Sequence, residues 1–131
     1  MKYSFENLEV WQKSRALVKN IYQITRDFPN EEKFGLTSQL RRAAVSISSN
    51  IAEGSTRWSK KDQARFYEIA FGSLIEVLNQ LILAADLQLI NVDSLQKTRI
   101  EIDSIGRMLN SLYQSTRKTK PISSPAELTE A

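Results

Sequence analysis

The residues that could do chemistry in this sequence are mostly cations, concentrated between positions 33 and 65. Seven cations and two anions lie there, and this local excess of five is larger than the net charge of +3 of the whole chain. Cations beside an exposed aromatic ring can bind phosphates while a base stacks on the ring. The sequence therefore predicts a nucleic-acid-binding surface. Its residues are Arg41, Arg42, Arg57, Trp58, Lys60, Lys61 and Arg65.

The same residues also have a purely structural interpretation. The cations would then form a solvated helix end, and Trp58 would fold over the end of the fold as a hydrophobic plug. Lys60 and Lys61 follow a predicted helix start, where the helix dipole disfavours cations by about 0.3–1 kcal/mol. That small cost favours a functional reason for the two lysines, and both interpretations stay open at this point.

Side chains for catalysis and metal binding are scarce. The chain has no Cys and no His, so it lacks thiolate chemistry, the commonest general base and the commonest transition-metal ligand. The carboxylates suit only Mg²⁺ or Ca²⁺, and their spacing does not require any of them to converge. We therefore expect no enzyme activity, no metal, no cofactor and no small-molecule substrate. The enzyme alternative, a Mg²⁺-dependent nuclease, would need several convergent carboxylates.

A serine-rich segment and a pair of leucines could mediate contacts between helices or subunits. Serines and an asparagine at positions 46, 48, 49 and 50 are mediocre helix formers. They would either admit a close neighbouring helix or bond back to carbonyls one turn earlier. Leu83 and Leu87 lie one turn apart within a polar arc, and we expect them to contact a second subunit. Alternatively, they are two isolated exposed leucines. The arc comprises Glu76, Asn79, Gln80 and Asp86.

Four amphipathic helices must position these residues. Apolar residues recur at helical spacing over residues 7–27, 36–52, 59–87 and 93–113. Asn7, Ser59 and Asp93 are the expected N-caps, and Gly54 is the expected residue just beyond the second helix. Short connections between helices of similar length predict an all-α, antiparallel up-down-up-down four-helix bundle. We assign residues 1–115 to this domain and residues 116–131 to a disordered polar tail.

Nothing in the sequence indicates a membrane protein. The N-terminus lacks the apolar segment of a secretory signal. Polar residues interrupt the most apolar stretch, residues 74–89. This pattern predicts a buried helix and not a membrane span. We expect a cytoplasmic protein without a membrane partner.

Four motifs resemble those of a bacterial family. They are residues 5–13 (FENLEVWQK), 39–47 (QLRRAAVSI), 50–54 (NIAEG) and 72–77 (GSLIEV). On these motifs, about residues 5–112 resemble the 23S rRNA intervening-sequence proteins, whose biochemical role is mostly undefined. The resemblance implies a four-helix bundle that assembles into a ring-like homopentamer.

A related branch, the accessory variability protein of diversity-generating retroelements, looks like a basic pentameric barrel that binds a reverse transcriptase and nucleic acid. This similarity implies binding roles for Arg41 and Arg42, which lie in the second motif. We therefore expect a non-enzymatic homo-oligomeric scaffold that binds RNA, DNA or a nucleic-acid enzyme through a basic surface. The alternative is a protein-only adaptor that uses the ring or the Leu83/Leu87 face and does not bind nucleic acid.

Overall fold

Four helices account for most of residues 1–117, the part of the chain that the computed structural model describes. They are α1 (Glu9–Arg26), α2 (Leu36–Ser55), α3 (Lys60–Asp86) and α4 (Val92–Ser115). Two short 3₁₀ turns precede α1 and α2, at Ser4–Asn7 and Asn30–Glu32. The described residues contain no strand, so the predicted all-α four-helix bundle is confirmed. Most of the predicted tail, residues 118–131, lies outside the described residues.

Consecutive helices are neighbours in space. α2 packs on α1 and α3, α3 packs on α4, and α4 returns to α1. The connections are short, which gives the antiparallel order of an up-down-up-down bundle. Each helix contributes one apolar stripe to a shared core. Its fully buried large residues include Leu17, Ile21, Leu40, Ile47, Ile51, Leu74, Leu81, Ile105 and Leu109.

The helix ends differ from the predicted ones by at most three residues. Ser59 caps α3 as expected, and its Oγ accepts a hydrogen bond from the backbone N–H of Asp62 at 3.1 Å. The prediction for α4 was wrong, because Asn91 caps it in place of Asp93. The backbone N–H of Ser94 donates a hydrogen bond to Oδ1 of Asn91 at 2.7 Å. The prediction for α1 was also wrong, because Asn7 belongs to the preceding 3₁₀ turn and Leu8 is the cap residue.

Gly54 lies inside the last turn of α2, and its predicted place beyond the helix was wrong. A Cβ atom at this position would lie 2.7 Å from Cε1 of Tyr67 and 2.9 Å from Cβ of Phe66. Both distances are shorter than carbon–carbon contact allows. Gly54 therefore permits the close approach of α2 to α3.

Polar side chains line the outer seam between α2 and α3. The hydroxyls of Ser46 and Ser73 hydrogen bond at 2.8 Å, so small residues do admit the neighbouring helix. Ser48 instead donates to the Val45 carbonyl at 3.1 Å, so the second alternative also applies within the same segment. Gln80 was predicted in the exposed polar arc, but only 4% of it is exposed.

By length and composition alone, α3 is long and apolar enough to cross a membrane. One such helix is weak support for a membrane span, since the core helix of a bundle has the same character. In this fold α3 packs against both α2 and α4.

Candidate nucleic-acid interface

The structure separates the seven predicted binding residues into two groups. Arg41 and Arg42 lie near the start of α2, whereas the other five follow its end. Arg41 and Arg57 are sixteen residues apart, which corresponds to about 24 Å along a helix axis. The seven residues therefore do not form one site.

The side chain of Arg41 packs against α1. Its Nε donates to Oγ1 of Thr25 at 2.9 Å, and its guanidinium lies 4.5 Å from the centre of the Tyr22 ring. Arg42, one residue further, is exposed. Beside them runs a shallow groove of about 490 Å³. It is lined by Tyr22, Lys33, Phe34, Thr37, Ser38, Arg41, Arg42 and Val45.

At the other end of α2, two arginines share one aromatic ring. The guanidinium carbons of Arg57 and Arg65 lie 4.4 and 5.5 Å from the centre of the Phe66 ring. Arg57 also lies 3.8 Å from the Glu53 carboxylate, but both side chains are about half exposed, so this ion pair contributes little stability. The ring holds two cations at the surface in defined positions.

Trp58 projects fully into solvent, with a relative exposure of 101%. The structural interpretation, in which it plugs the end of the bundle, was therefore wrong. Thr56 caps the end of α2 and Ser59 caps the start of α3, so Trp58 sits in a tight connection between two fixed ends. A large exposed aromatic ring with exposed cations on both sides is unusual for a purely structural turn.

One cation of this end was missed by the sequence analysis. Arg117 follows the end of α4, and it lines the same pocket as Tyr67 and Glu68 near the start of α3. Antiparallel packing thus brings Arg117 to the end of the bundle that carries the α2–α3 turn. We refer to these residues as the turn cluster: Arg57, Trp58, Lys60, Lys61, Arg65 and Arg117.

The role of Phe66 as the ring beneath the arginines was also missed, although it directly follows Arg65 in a predicted helix. An apolar ring inside an amphipathic helix is typical of a core position, whereas the Phe66 ring is partly exposed beneath two arginines. Arg117 gave no usable signal, because it was assigned to the predicted tail.

The two leucines proposed for a subunit contact lie on the outer face of α3 and at its end. Leu83 is 44% exposed and Leu87 is 61% exposed. Among residues 1–117, no group of three acidic, His or Cys side chains is placed to hold a metal ion.

Together these features define an all-α, up-down-up-down four-helix bundle with a cationic, aromatic surface at one end. A family model described as 23S rRNA-intervening sequence protein matches residues 6–111. The chain therefore belongs to this family, as its motifs indicated.

The fold is similar to that of a protein of unknown function from the S23 ribosomal protein family of Bacteroides thetaiotaomicron, known from a crystal structure. The TM-score is 0.72 at 22% sequence identity, and the match covers 80% of this chain and 98% of the other. At this identity the similarity shows the fold alone. No curated protein matches the sequence significantly.

Proposed function

We propose that this protein is a non-enzymatic, homo-oligomeric scaffold that binds single-stranded RNA or DNA through the turn cluster. The observation that carries the proposal is the fully exposed ring of Trp58 among exposed cations. Such a surface binds phosphates electrostatically and offers a ring on which an unpaired base can stack. A nucleic-acid enzyme bound to the same strand is a compatible partner.

The turn cluster is a better candidate than the groove beside Arg41. Arg41 already donates to Thr25 and covers the Tyr22 ring, so its exchange for a phosphate contact would cost both interactions. Arg57 and Arg65, in contrast, lie over the partly exposed ring of Phe66, and the additional ion pair of Arg57 with Glu53 is half exposed and weak. Lys60 and Lys61 are fully available on the first turn of α3.

Charge reversal at each end tests the proposal. Fluorescence anisotropy of a labelled single-stranded RNA would be measured over a salt series for the wild type and two double variants. Lys60→Glu with Lys61→Glu removes cations of the turn cluster. Lys33→Glu with Arg42→Glu is the matched control at the other end of α2, with the same change in net charge.

We expect wild-type affinity to fall linearly with the logarithm of salt concentration. The turn-cluster variant should bind more weakly. The slope of its log affinity against log salt concentration should be smaller by about 1.4, because two phosphate contacts are lost and each contributes about 0.7 on a single strand. The control variant should lose less affinity for the RNA than the turn-cluster variant. Equal losses in the two variants, or no binding by the wild type at low salt, would reject the proposed surface.

The protein-only adaptor is the second candidate, and the exposure of Leu83 and Leu87 favours it. It predicts no retention of RNA by the wild type at low salt, together with self-association that depends on these leucines.

A further inference from the structure

A pocket opens between α3 and α4 at the same end of the bundle as the turn cluster. Its volume is about 350 Å³, which is within the range of small-ligand sites. Its walls are mainly aromatic and apolar, and it has a few polar groups at its rim. The lining residues are Tyr67, Glu68, Phe71, Leu109, Asn110, Tyr113 and Arg117.

Tyr67 brings a phenol hydroxyl to this pocket. Only 3% of the residue is exposed. Burial raises the pKa of the Tyr67 phenol, so the hydroxyl keeps its proton at neutral pH. Tyr67 lines the open pocket, so its hydroxyl can donate a hydrogen bond to a ligand atom there.

Cations lie on the outer side of the pocket. Lys60 precedes Tyr67 by seven residues, so it occupies the same face of α3 about 10 Å nearer the end of the bundle. Arg117 follows Tyr113 by four residues on the facing helix. A ligand with a flat ring inside and negative charges outside would match this arrangement.

We propose that this pocket accepts one unstacked base of a single strand bound to the turn cluster. The base lies against Phe71 and Tyr113, and a ring nitrogen or carbonyl of the base pairs with the Tyr67 hydroxyl. The flanking phosphates contact Lys60 and Arg117. The inference rests on the proposed function and adds its ligand class, a strand with an unpaired base. Extruded bases are commonly held between aromatic side chains in this way.

The test compares a short oligoadenylate with an abasic strand of equal length and charge, using the full-length protein. Tyr67→Phe removes only the hydroxyl, and Tyr113→Leu removes one aromatic wall. Tyr22→Phe and Tyr22→Leu are matched controls on α1, in the groove beside Arg41. Thermal unfolding followed by circular dichroism checks that each variant is folded. Adenosine monophosphate serves as a third probe for a free nucleotide.

We expect wild type to prefer the oligoadenylate over the abasic strand by about tenfold. Tyr67→Phe and Tyr113→Leu should each reduce this preference about threefold or more, without changing affinity for the abasic strand. The Tyr22 variants should keep the full preference.

Three results would overturn the inference, and they are distinguishable. If the pocket variants keep the base preference while strands still bind, the pocket is wrong and the proposed function stands. If neither strand binds, both fail. If adenosine monophosphate binds as tightly as the strand, the pocket is a site for free nucleotides.

Discussion

Gly54 shows how one residue without a side chain can set the spacing of two helices. Glycine weakens a helix interior by about 1 kcal/mol relative to alanine, yet here it lies within α2. The rings of Tyr67 and Phe66 occupy the space where a Cβ would be. The cost to the helix is offset by the close packing of α2 on α3.

Gly54→Ala should therefore destabilise the protein although alanine is the better helix former. Overpacking of this kind typically costs about 1–3 kcal/mol, and we expect a net loss in that range from urea unfolding. Gly72→Ala is the matched control, because an added Cβ there meets nothing within 4 Å. It should stabilise the monomer by up to about 1 kcal/mol. Stabilisation by both substitutions would contradict the packing described for Gly54.

The sequence predicted which residue types form the candidate site, but it did not predict what each side chain contacts. Arg41 and Arg42 are adjacent, and both were predicted to belong to the nucleic-acid-binding surface. The structure turns Arg41 onto Thr25 and Tyr22 of α1 and leaves Arg42 exposed. Which of two neighbouring arginines meets another helix depends on where α1 lies, and local spacing does not contain that information.

At the level of elements, apolar periodicity was enough to predict all four helices and their order. The ends were harder, because two residues with capping side chains often lie close together. Asn91 and Asp93 are two positions apart, and both types are good N-caps. The structure shows that Asn91 is the cap residue, and the residue types alone do not distinguish the two.

Gln88 follows the end of α3 in a strained conformation. It is the only non-glycine residue with positive φ among residues 1–117, at 62°. The N–H groups of Gln88 and Leu89 bond to the carbonyls of Ala85 and Ala84 at 3.0 and 2.8 Å. This is the usual helix-ending arrangement in which glycine is preferred.

Gln88→Gly should stabilise the protein by about 1 kcal/mol, because it relieves the left-handed strain of a residue with a Cβ. The matched control is Gln96→Gly, an exposed position inside α4, where the same change should destabilise by about 1 kcal/mol. Chemical unfolding of both variants measures the two free energies. Destabilisation by both substitutions would show that strain at the end of α3 does not outweigh the cost of glycine.

At the scale of the whole molecule, antiparallel topology creates the candidate site. It places Arg117, at the end of α4, beside the α2–α3 turn and the start of α3. The same topology moves Arg41 and Arg42 to the opposite end of α2. The sequence predicted most of the cations of the site, but their division into two groups required the fold. The ring-like homopentamer implied by the family resemblance stays a proposal.

Assembly through the outer face of α3 predicts a change of mass. Light scattering at micromolar concentration should show an oligomer for the wild type and a smaller species for Leu83→Asp, because a buried charge would oppose the contact. Ile100→Asp on α4, also at an exposed apolar position, is the control and should keep the wild-type mass. A monomeric wild type would contradict both the proposed homo-oligomer and the role of this face as a subunit contact.

The emission of Trp58 tests the central claim most directly, since this ring is fully exposed in the turn cluster. Trp11→Phe would leave Trp58 as the only tryptophan and keep a ring beside Phe5. Titration of this variant with single-stranded RNA at low salt should quench and shift the emission, and added salt should reverse the change. Trp58 emission that stays constant while anisotropy of the RNA reports binding would place the nucleic acid elsewhere on the protein.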